Sequence, residues 1–409
     1  MNTKSNPPAC WVEAITTEQA LAAASESWSA LSAASENALL FNSHEWASAC
    51  WTHFHAESPN AELWVLVVRN AHRWLALLPL WRETRCFLGV VTRTAHLLGE
   101  GPSDYGDLLC SAPPQEPMDA LVDYVLQRHD EWDVLDFRET PPNSAVATLL
   151  LPRLTARGCR AESTGDSPCR AIPTTDGWDD YYSRHFNSKR RRDHRRDRRI
   201  FDTTGSVTQE WLCAAAELPA LADAFAEVQA AHAQAGENRP GEFNDRRFRP
   251  FIERMMTVAA QRDWLRISVM RRDGAVVAYY VAFHYRDRYC VYNTAHRADV
   301  QQYSVGKLLM LFTLERLFEE RGGLIDFMRG DEPYKETWTD VCNVNLRIRI
   351  TGATWHAKLA QHVAFELRPV LERRTPRLHR VLTVVSDEGW RGLMARVSRR
   401  LGADPRGSQ

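Results

Sequence analysis

LWVLVVR (Leu63–Arg69) followed by WLALLPLW (Trp74–Trp81), and later WLRISVM (Trp264–Met270) followed by VVAYYVAFHY (Val276–Tyr285), are the runs on which the fold of this chain turns. Each pair joins two apolar stretches rich in β-branched and aromatic residues through a short polar turn, at Asn70–Arg73 and Arg271–Gly274, which predicts a β-hairpin. The hairpins also match residue for residue. Leu63, Val65, Val67, Arg69 and Ala76 stand at one constant offset from Leu265, Ile267, Val269, Arg271 and Ala278, and Val134-Leu135-Asp136-Phe137 rhymes with Leu324-Ile325-Asp326-Phe327. A duplicated unit accounts for both matches.

Working outward, the opening 60 residues read as two helices, the first with Thr16 and Gln19 spaced as a capping box, the second starting at Ser43. After the first hairpin come a weaker strand at Cys86–Val91, a Gly/Pro/Asp-rich loop at Gly99–Asp107, a helix after SAPPQEP, a strand at Asp133–Phe137 and a helix at Asn143–Arg157. Around the second hairpin lie helices at Gln209–Ala235 and Asp245–Arg262, a strand at Arg288–Thr294, a helix opening near Ser304, a strand at Leu324–Phe327 and a closing strand at Val344–Ile350. The expected organisation is an N-terminal unit over 1–165, an inter-domain segment with a basic helix over 166–205, a C-terminal unit over 206–351 and a basic helical extension over 352–409. The extension's apolar positions Leu359, Val363, Phe365, Leu367 and Val370 fit a helix packed on the second unit, or a surface element docking on an anionic membrane.

Composition bounds the function. With 409 residues, 44% hydrophobic and 25% charged, and a formal net charge of −1, the chain is neither disordered, fibrous nor basic as a whole. Its nine cysteines are scattered without a C-x-x-C pair, which argues against a zinc ribbon or a disulfide framework, and no metal site is expected. No signal peptide is read at the start, and apolar runs such as Leu308–Phe312 fall far short of the roughly 18 residues that cross a bilayer. A cytoplasmic protein is expected, with peripheral contact to the inner membrane or to polysaccharide synthesis machinery as an option.

Three groups of residues suit chemistry. Gln301-Gln302-Tyr303-Ser304-Val305-Gly306 stands after a strand and before a long apolar helix, where backbone N–H groups and the helix dipole favour an anion; a capped helix start is the plainer reading. SKRRRDHRRDRR (Ser188–Arg199) places Lys or Arg at eight of the eleven positions from 189 to 199, pointing all round a helix, so that no face of it is expected to be fully buried. It is a solvated charge run, a phosphate clamp, since arginine grips phosphate bidentately, or a nucleic-acid stripe, for which no recognition motif is present. Asp104, Tyr105 and Asp107 form the third group, in a loop whose Asp side chains also suit local turn bonds. His194, His284 and His296 show no metal-ligand spacing.

The pattern Gln301-x-x-Ser304-x-Gly306 resembles the Q/R-x-x-G-x-G/A signature of the GNAT superfamily of acyl-CoA N-acyltransferases, with its first glycine replaced. Gly330-Asp331-Glu332-Pro333-Tyr334-Lys335-x-x-Trp338 is similar to the G-D-E-P-Y-K-x-x-W motif of the CelD-type branch, associated with cellulose and exopolysaccharide pathways. Phe186–Arg196 and Ser103–Leu109 resemble that branch's basic helix and S-D-Y-x-D loop. The branch is in turn similar to the FemABX aminoacyltransferases, whose fold is two GNAT domains in tandem.

The resemblance implies tandem α/β GNAT domains with mixed, mainly antiparallel sheets, and acetyl-CoA or another acyl-CoA as co-substrate. The acyl group would pass to an amine of a small-molecule or nucleotide-sugar acceptor. It implies a donor site at Gln301, Ser304, Val305 and Gly306, with backbone oxyanion donors around Tyr292, Asn293 and Thr294. Lys335 would stabilise charge on the reacting carbonyl, Asp331 or Glu332 would accept the amine proton, and Tyr334 would protonate the leaving thiolate. Arg191 matches the FemABX arginine that contacts an acceptor diphosphate, with Lys189, Arg192 and Arg195 as helpers, and Asp104, Tyr105 and Asp107 would complete an acceptor cleft between the domains. The alternatives are a FemABX-like transferase using aminoacyl-tRNA and a non-catalytic anion-binding component of a polysaccharide assembly system; other nucleic acid is not expected.

Overall fold

The structure, a computed structural model, describes residues 10–214, 216, 218–233, 241–320 and 323–374. Its first half runs β1 (Trp11–Ile15), α1 (Glu18–Ala23), α2 (Ser25–Ala34), α3 (His44–Cys50), β2 (Ala61–Leu63), β3 (Val65–Arg69), β4 (Trp74–Leu78), β5 (Leu80–Phe87), β6 (Val90–Leu97), β7 (Leu109–Cys110), α4 (Gln115–Gln127), β8 (Val134–Thr140), α5 (Leu151–Ala156) and β9 (Arg160–Pro173). The second half runs α6 (Trp178–His185), α7 (Ser188–Asp202), β10 (Val207–Leu212), α8 (Leu218–Ala233), α9 (Phe248–Gln261), β11 (Leu265–Arg272), β12 (Ala275–Tyr285), β13 (Arg288–His296), α10 (Val305–Glu319), β14 (Leu324–Arg329), α11 (Pro333–Glu336), β15 (Cys342–Thr351), α12 (Trp355–Gln361) and α13 (Arg368–Arg374).

Both halves repeat one pattern. An antiparallel hairpin, β3 with β4 or β11 with β12, leads to a strand that runs parallel to its next neighbour, β6 with β8 or β13 with β14. The rhyming aspartates are buried at matching places: Asp136 binds Arg347 through both oxygens (2.9 and 2.6 Å), and Asp326 binds Arg288 (2.9 Å). Alternation along the strands gives each sheet two apolar faces. On β12, Tyr279, Val281 and Phe283 pack toward α8 and α9, whereas Ala278, Tyr280 and Ala282 pack toward α10.

The halves are fused by an exchange of their last strands. β9 leaves the first half to pair with β14, β15 leaves the second to pair with β8, and the two pair with each other, so eleven strands run in the order β10-β11-β12-β13-β14-β9-β15-β8-β6-β5-β2. The boundary drawn at 165 therefore falls inside β9. Trp46 of α3 adds an aromatic bridge, edge-on to Phe251 of α9 at 5.0 Å.

Several local expectations are corrected. Residues 209–212, expected to open a helix, belong to edge strand β10 on β11, a case of sheet pairing overriding helix-forming residues. The weak strand at Cys86–Val91 is instead the turn between β5 and β6, with Leu88 and Gly89 at φ 52° and 79°. Trp11–Ile15 pairs with β3, and the first helix is capped by Thr17, which accepts from the Ala20 N–H, rather than by Thr16. The extension packs through α12 on β6, β8 and β15, so it covers the first half rather than the second. Its residues beyond 374 lie outside the described residues. Among the described residues no helix is long and apolar enough to cross a membrane.

Candidate active site

β13 and β14 stay paired only over Arg288–Cys290 and Leu324–Asp326, then part. From Val291 onward β13 loses its ladder partner from β14. A bulge at the same place, where Val281 pairs with Asn293 but Ala282 with Val291, makes Tyr292 the extra residue. The bulge turns two successive side chains onto one face. Tyr292 packs on Trp46 and donates to Pro102 O (2.6 Å), and Asn293 accepts from Tyr279 (2.8 Å) and donates to Glu242 (3.1 Å). Of the three residues expected at the oxyanion position, only Thr294 lines the cavity that opens here.

That cavity holds about 670 Å³ and is floored by the start of α10, including Gln301, Ser304, Val305, Gly306 and Lys307. Ser304 stands at φ 57°, ψ 36° and makes no side-chain cap bond, so the plain capping role is not the one it plays. It holds the left-handed conformation that glycine adopts without penalty, which accounts for glycine at this point of the superfamily's signature. Gly306 is packed closely: a Cβ there would sit 3.3 Å from His296 Nδ1. His296, to which the sequence assigns no role, and His232 of α8, which the sequence does not single out, both line the cavity with their rings 5.0 Å apart. Strand pairing brings His296 to this spot, and the packing of α8 on β12 and β13 brings His232.

The opposite wall is the turn after β14. Glu332, Pro333, Tyr334, Thr337 and Trp338 line the cavity, while Asp331 is exposed and lines none of it. Tyr334 is 38% exposed, and burial, then Tyr280 and Glu332, push its phenol well above the usual tyrosine range, so it enters neutral solution as a proton donor. Lys335 is 3% exposed and is not among the residues lining the cavity. It donates to Arg329 O (2.7 Å) and Met328 O (3.3 Å) and pairs with Glu332 (2.8 Å), tying down a strand end where Met328 and Gly330 both have positive φ. A solvated ion pair is thereby excluded, and all three ammonium hydrogens have protein partners.

The Ser103–Asp107 loop plugs the corresponding parting of β6 and β8 in the first half: Gly106 N–H donates to Glu139 O (2.7 Å). Asp107 is a cap, accepting from Leu108, Val146 and Ala145 N–H and from Asn37 Nδ2 at 2.8–3.1 Å. Tyr105 donates to Asp326 (2.8 Å) across the halves, and Asp104 pairs with Arg329 (3.0 Å), which also reaches Glu139 (3.3 Å). These carboxylates are occupied by protein partners.

Burial raises Asp104 to about 7, against the lowering pull of Arg329. A carboxyl whose folded pKa lies above its unfolded value near 3.9 binds its proton more tightly when folded, so it takes stability away as pH rises from about 4 to about 7. Asp104→Asn is expected to lose less stability than wild type between pH 5 and pH 8, measured as urea midpoints. Equal slopes would remove Asp104 from the titration.

The basic helix is not where an acceptor cleft would need it. α7 lies against α10, where Asp197 pairs with Lys307 (2.9 Å), and its buried His194 packs on Tyr182 and Phe186 and its buried Phe201 on Tyr303. The expectation that no face could be buried fails because His194, Asp197 and Phe201 fall on one stripe among the arginines. Burial and then Lys307 lower His194 to about 4, so it adds no charge. Lys189 and Arg192 are exposed, and Arg191 donates to Ser183 O (3.1 Å). Phe186 and Phe201 belong to the α10 side of the sheet and Tyr105 to the opposite side, so Arg191, Arg192 and Arg195 share no cleft with Asp104, Tyr105 and Asp107.

Residues 188–336, the stretch holding α7, the parted strands and the Glu332–Trp338 turn up to α11, match the family model described as acetyltransferase (GNAT) domain. Among solved structures the chain is similar to FemX, at 10% identity over 86% of this chain and 99% of that one, with TM-score 0.58. It is also similar to a C-terminal domain (DUF2156) assigned to a lysylphosphatidylglycerol synthetase of Agrobacterium fabrum, at 11% identity over 86% and 97%, with TM-score 0.50. At such identities the likeness is one of fold. The fold is the tandem α/β GNAT fold, with mixed, mostly antiparallel strands and, among the described residues, no closed barrel. None of the curated proteins matches the chain.

Proposed function

We propose that this protein is an N-acyltransferase that moves an acyl group, most simply acetyl, from acyl-CoA to an amine of a sugar or nucleotide-sugar precursor of an exopolysaccharide of the cellulose type. The observation that carries the donor half is the cavity between the parted β13 and β14, with Ser304 in the left-handed conformation and side-chain-free Gly306 at the start of α10. Residues present there fit a pyrophosphate: exposed backbone N–H groups, a helix dipole and Lys307. The acceptor half rests on the resemblance of the Gly330–Trp338 turn to the CelD-type motif.

When bound, the acyl-CoA supplies an activated thioester carbonyl. The released edge of β13 near Thr294 offers backbone donors for the carbonyl oxygen. Glu332, rather than Asp331, is placed to take the amine's proton, since only Glu332 lines the cavity. As the nitrogen–carbon bond forms and the carbon–sulfur bond breaks, the Tyr334 hydroxyl delivers a proton to sulfur. Lys335 positions Glu332 and the strand end.

The reading is tested by titrating the protein with acetyl-CoA, longer acyl-CoAs and CoA, beside Gly306→Glu and Gly306→Ala. The glutamate is expected to weaken binding at least 100-fold in a protein that keeps its circular dichroism, and the alanine far less. Absence of binding to the wild type would overturn the acyl-CoA donor and favour aminoacyl-tRNA.

A further inference from the structure

A second hollow lies on the outer side of α10, away from the donor cavity. It encloses about 730 Å³ between α7 and α10. Arg192, Arg195, Arg198 and Arg199 of α7 form one wall, and Leu308, Leu311 and Phe312 of α10 form the floor. Among the described residues Glu315 is the one carboxylate lining it, so four guanidinium groups face one acid. Arg198 is partly spent on Asp202 (2.8 Å), but Arg192, Arg195 and Arg199 have no carboxylate within ion-pair distance among the described residues. The next residue, Ile200, is 46% exposed, an aliphatic side chain turned to water in the most charged stretch of the chain.

Chemistry of the two walls selects the ligand. Unpaired arginines favour a phosphate, which they can grip through two parallel N–H bonds. A hydrated polyanion gains nothing from Leu308, Leu311 and Phe312, nor from Ile200. A ligand with a phosphate at one end and hydrocarbon at the other uses all of them, with the arginine stems lying along the apolar part and their heads at the interface. We propose that the groove between α7 and α10 binds the anionic phospholipid of a membrane surface, the phosphate held by Arg192, Arg195 and Arg199, the hydrocarbon lying on Leu308, Leu311 and Phe312, and Ile200 entering the interface. The basic helix then brings the donor cavity, which shares α10, to a membrane.

The test is co-sedimentation of the full chain with vesicles of phosphatidylcholine alone and with 30% phosphatidylglycerol. Binding to the anionic vesicles is expected to exceed that to neutral ones at least tenfold at 0.1 M salt. Arg199→Glu/Ile200→Ser, two exposed changes, and Leu311→Asp in the floor are each expected to lower it at least tenfold while the acyl-CoA titration stays within twofold, which separates this site from the donor site. Equal binding to both vesicles, anionic binding unaffected by Arg199→Glu/Ile200→Ser, or saturable binding of inorganic pyrophosphate or RNA without any vesicle binding would each overturn the lipid site.

Discussion

Replacing Lys335 by methionine is expected to destabilise the protein by about 3 kcal/mol, the range for removing a buried charged donor that satisfies backbone acceptors. Methionine keeps the length and apolar stem, so packing changes little. What disappears is the ammonium that holds Met328 O and Arg329 O. Its charge also pulls down the carboxyls of Asp104 and Asp326, which burial pushes up. Without it the strand end at Met328–Gly330, held at positive φ on both sides of Arg329, loses its fastening. Lys335→Arg is not expected to rescue, because a planar fork cannot replace a compact ammonium among three converging acceptors. Urea unfolding decides the matter: a change below about 0.5 kcal/mol would mean the carbonyls do not depend on Lys335. A positioning role further predicts that kcat falls in the variant more than acyl-CoA affinity does, since Lys335 lines no part of the donor cavity.

The repeat was legible because each hairpin writes itself as two continuous apolar runs around a short polar turn, and both halves carry the runs with their turn. Asp136 and Asp326 were legible as a rhyme, and the structure gives the reason for it, a buried aspartate fixed by arginine in each half. The exchange of β9 and β15 was not legible. Strand patterns state which face is apolar, not which neighbour will be met, and Arg160–Pro173 lacks even the clean alternation that announces a strand.

The cavity proposed as the donor site was legible in its frame and not in its details. Gln301, Ser304 and Gly306 meet Glu332 and Tyr334 at one cavity. His232 and His296 arrive there through the folding of distant segments, and no spacing signals them. The reverse holds for Asp107, whose loop looked exposed on composition but whose carboxylate caps residues 145 and 146, a partner nearly forty positions away. Charge density misled in the same manner at α7, where His194 and Phe201 anchor a helix that eight cations made look unburiable.

Tyr334→Phe is expected to reduce kcat by about 100-fold, or about 2.7 kcal/mol of barrier, within the range of losing a positioned general acid. Acyl-CoA affinity should stay within twofold, because the ring that lines the cavity remains. The argument rests on the state of the phenol: burial and then the neighbouring Tyr280 and Glu332 hold its pKa well above the usual range, so the proton is present throughout neutral and mildly alkaline pH. Wild-type turnover should therefore show no alkaline limb attributable to this tyrosine below pH 10. Any acid limb belongs to other groups and should survive in the phenylalanine variant. If Tyr334→Phe turned over within threefold of wild type, the proton on sulfur would have to come from water. The cavity wall would then owe its tyrosine to packing against the donor alone.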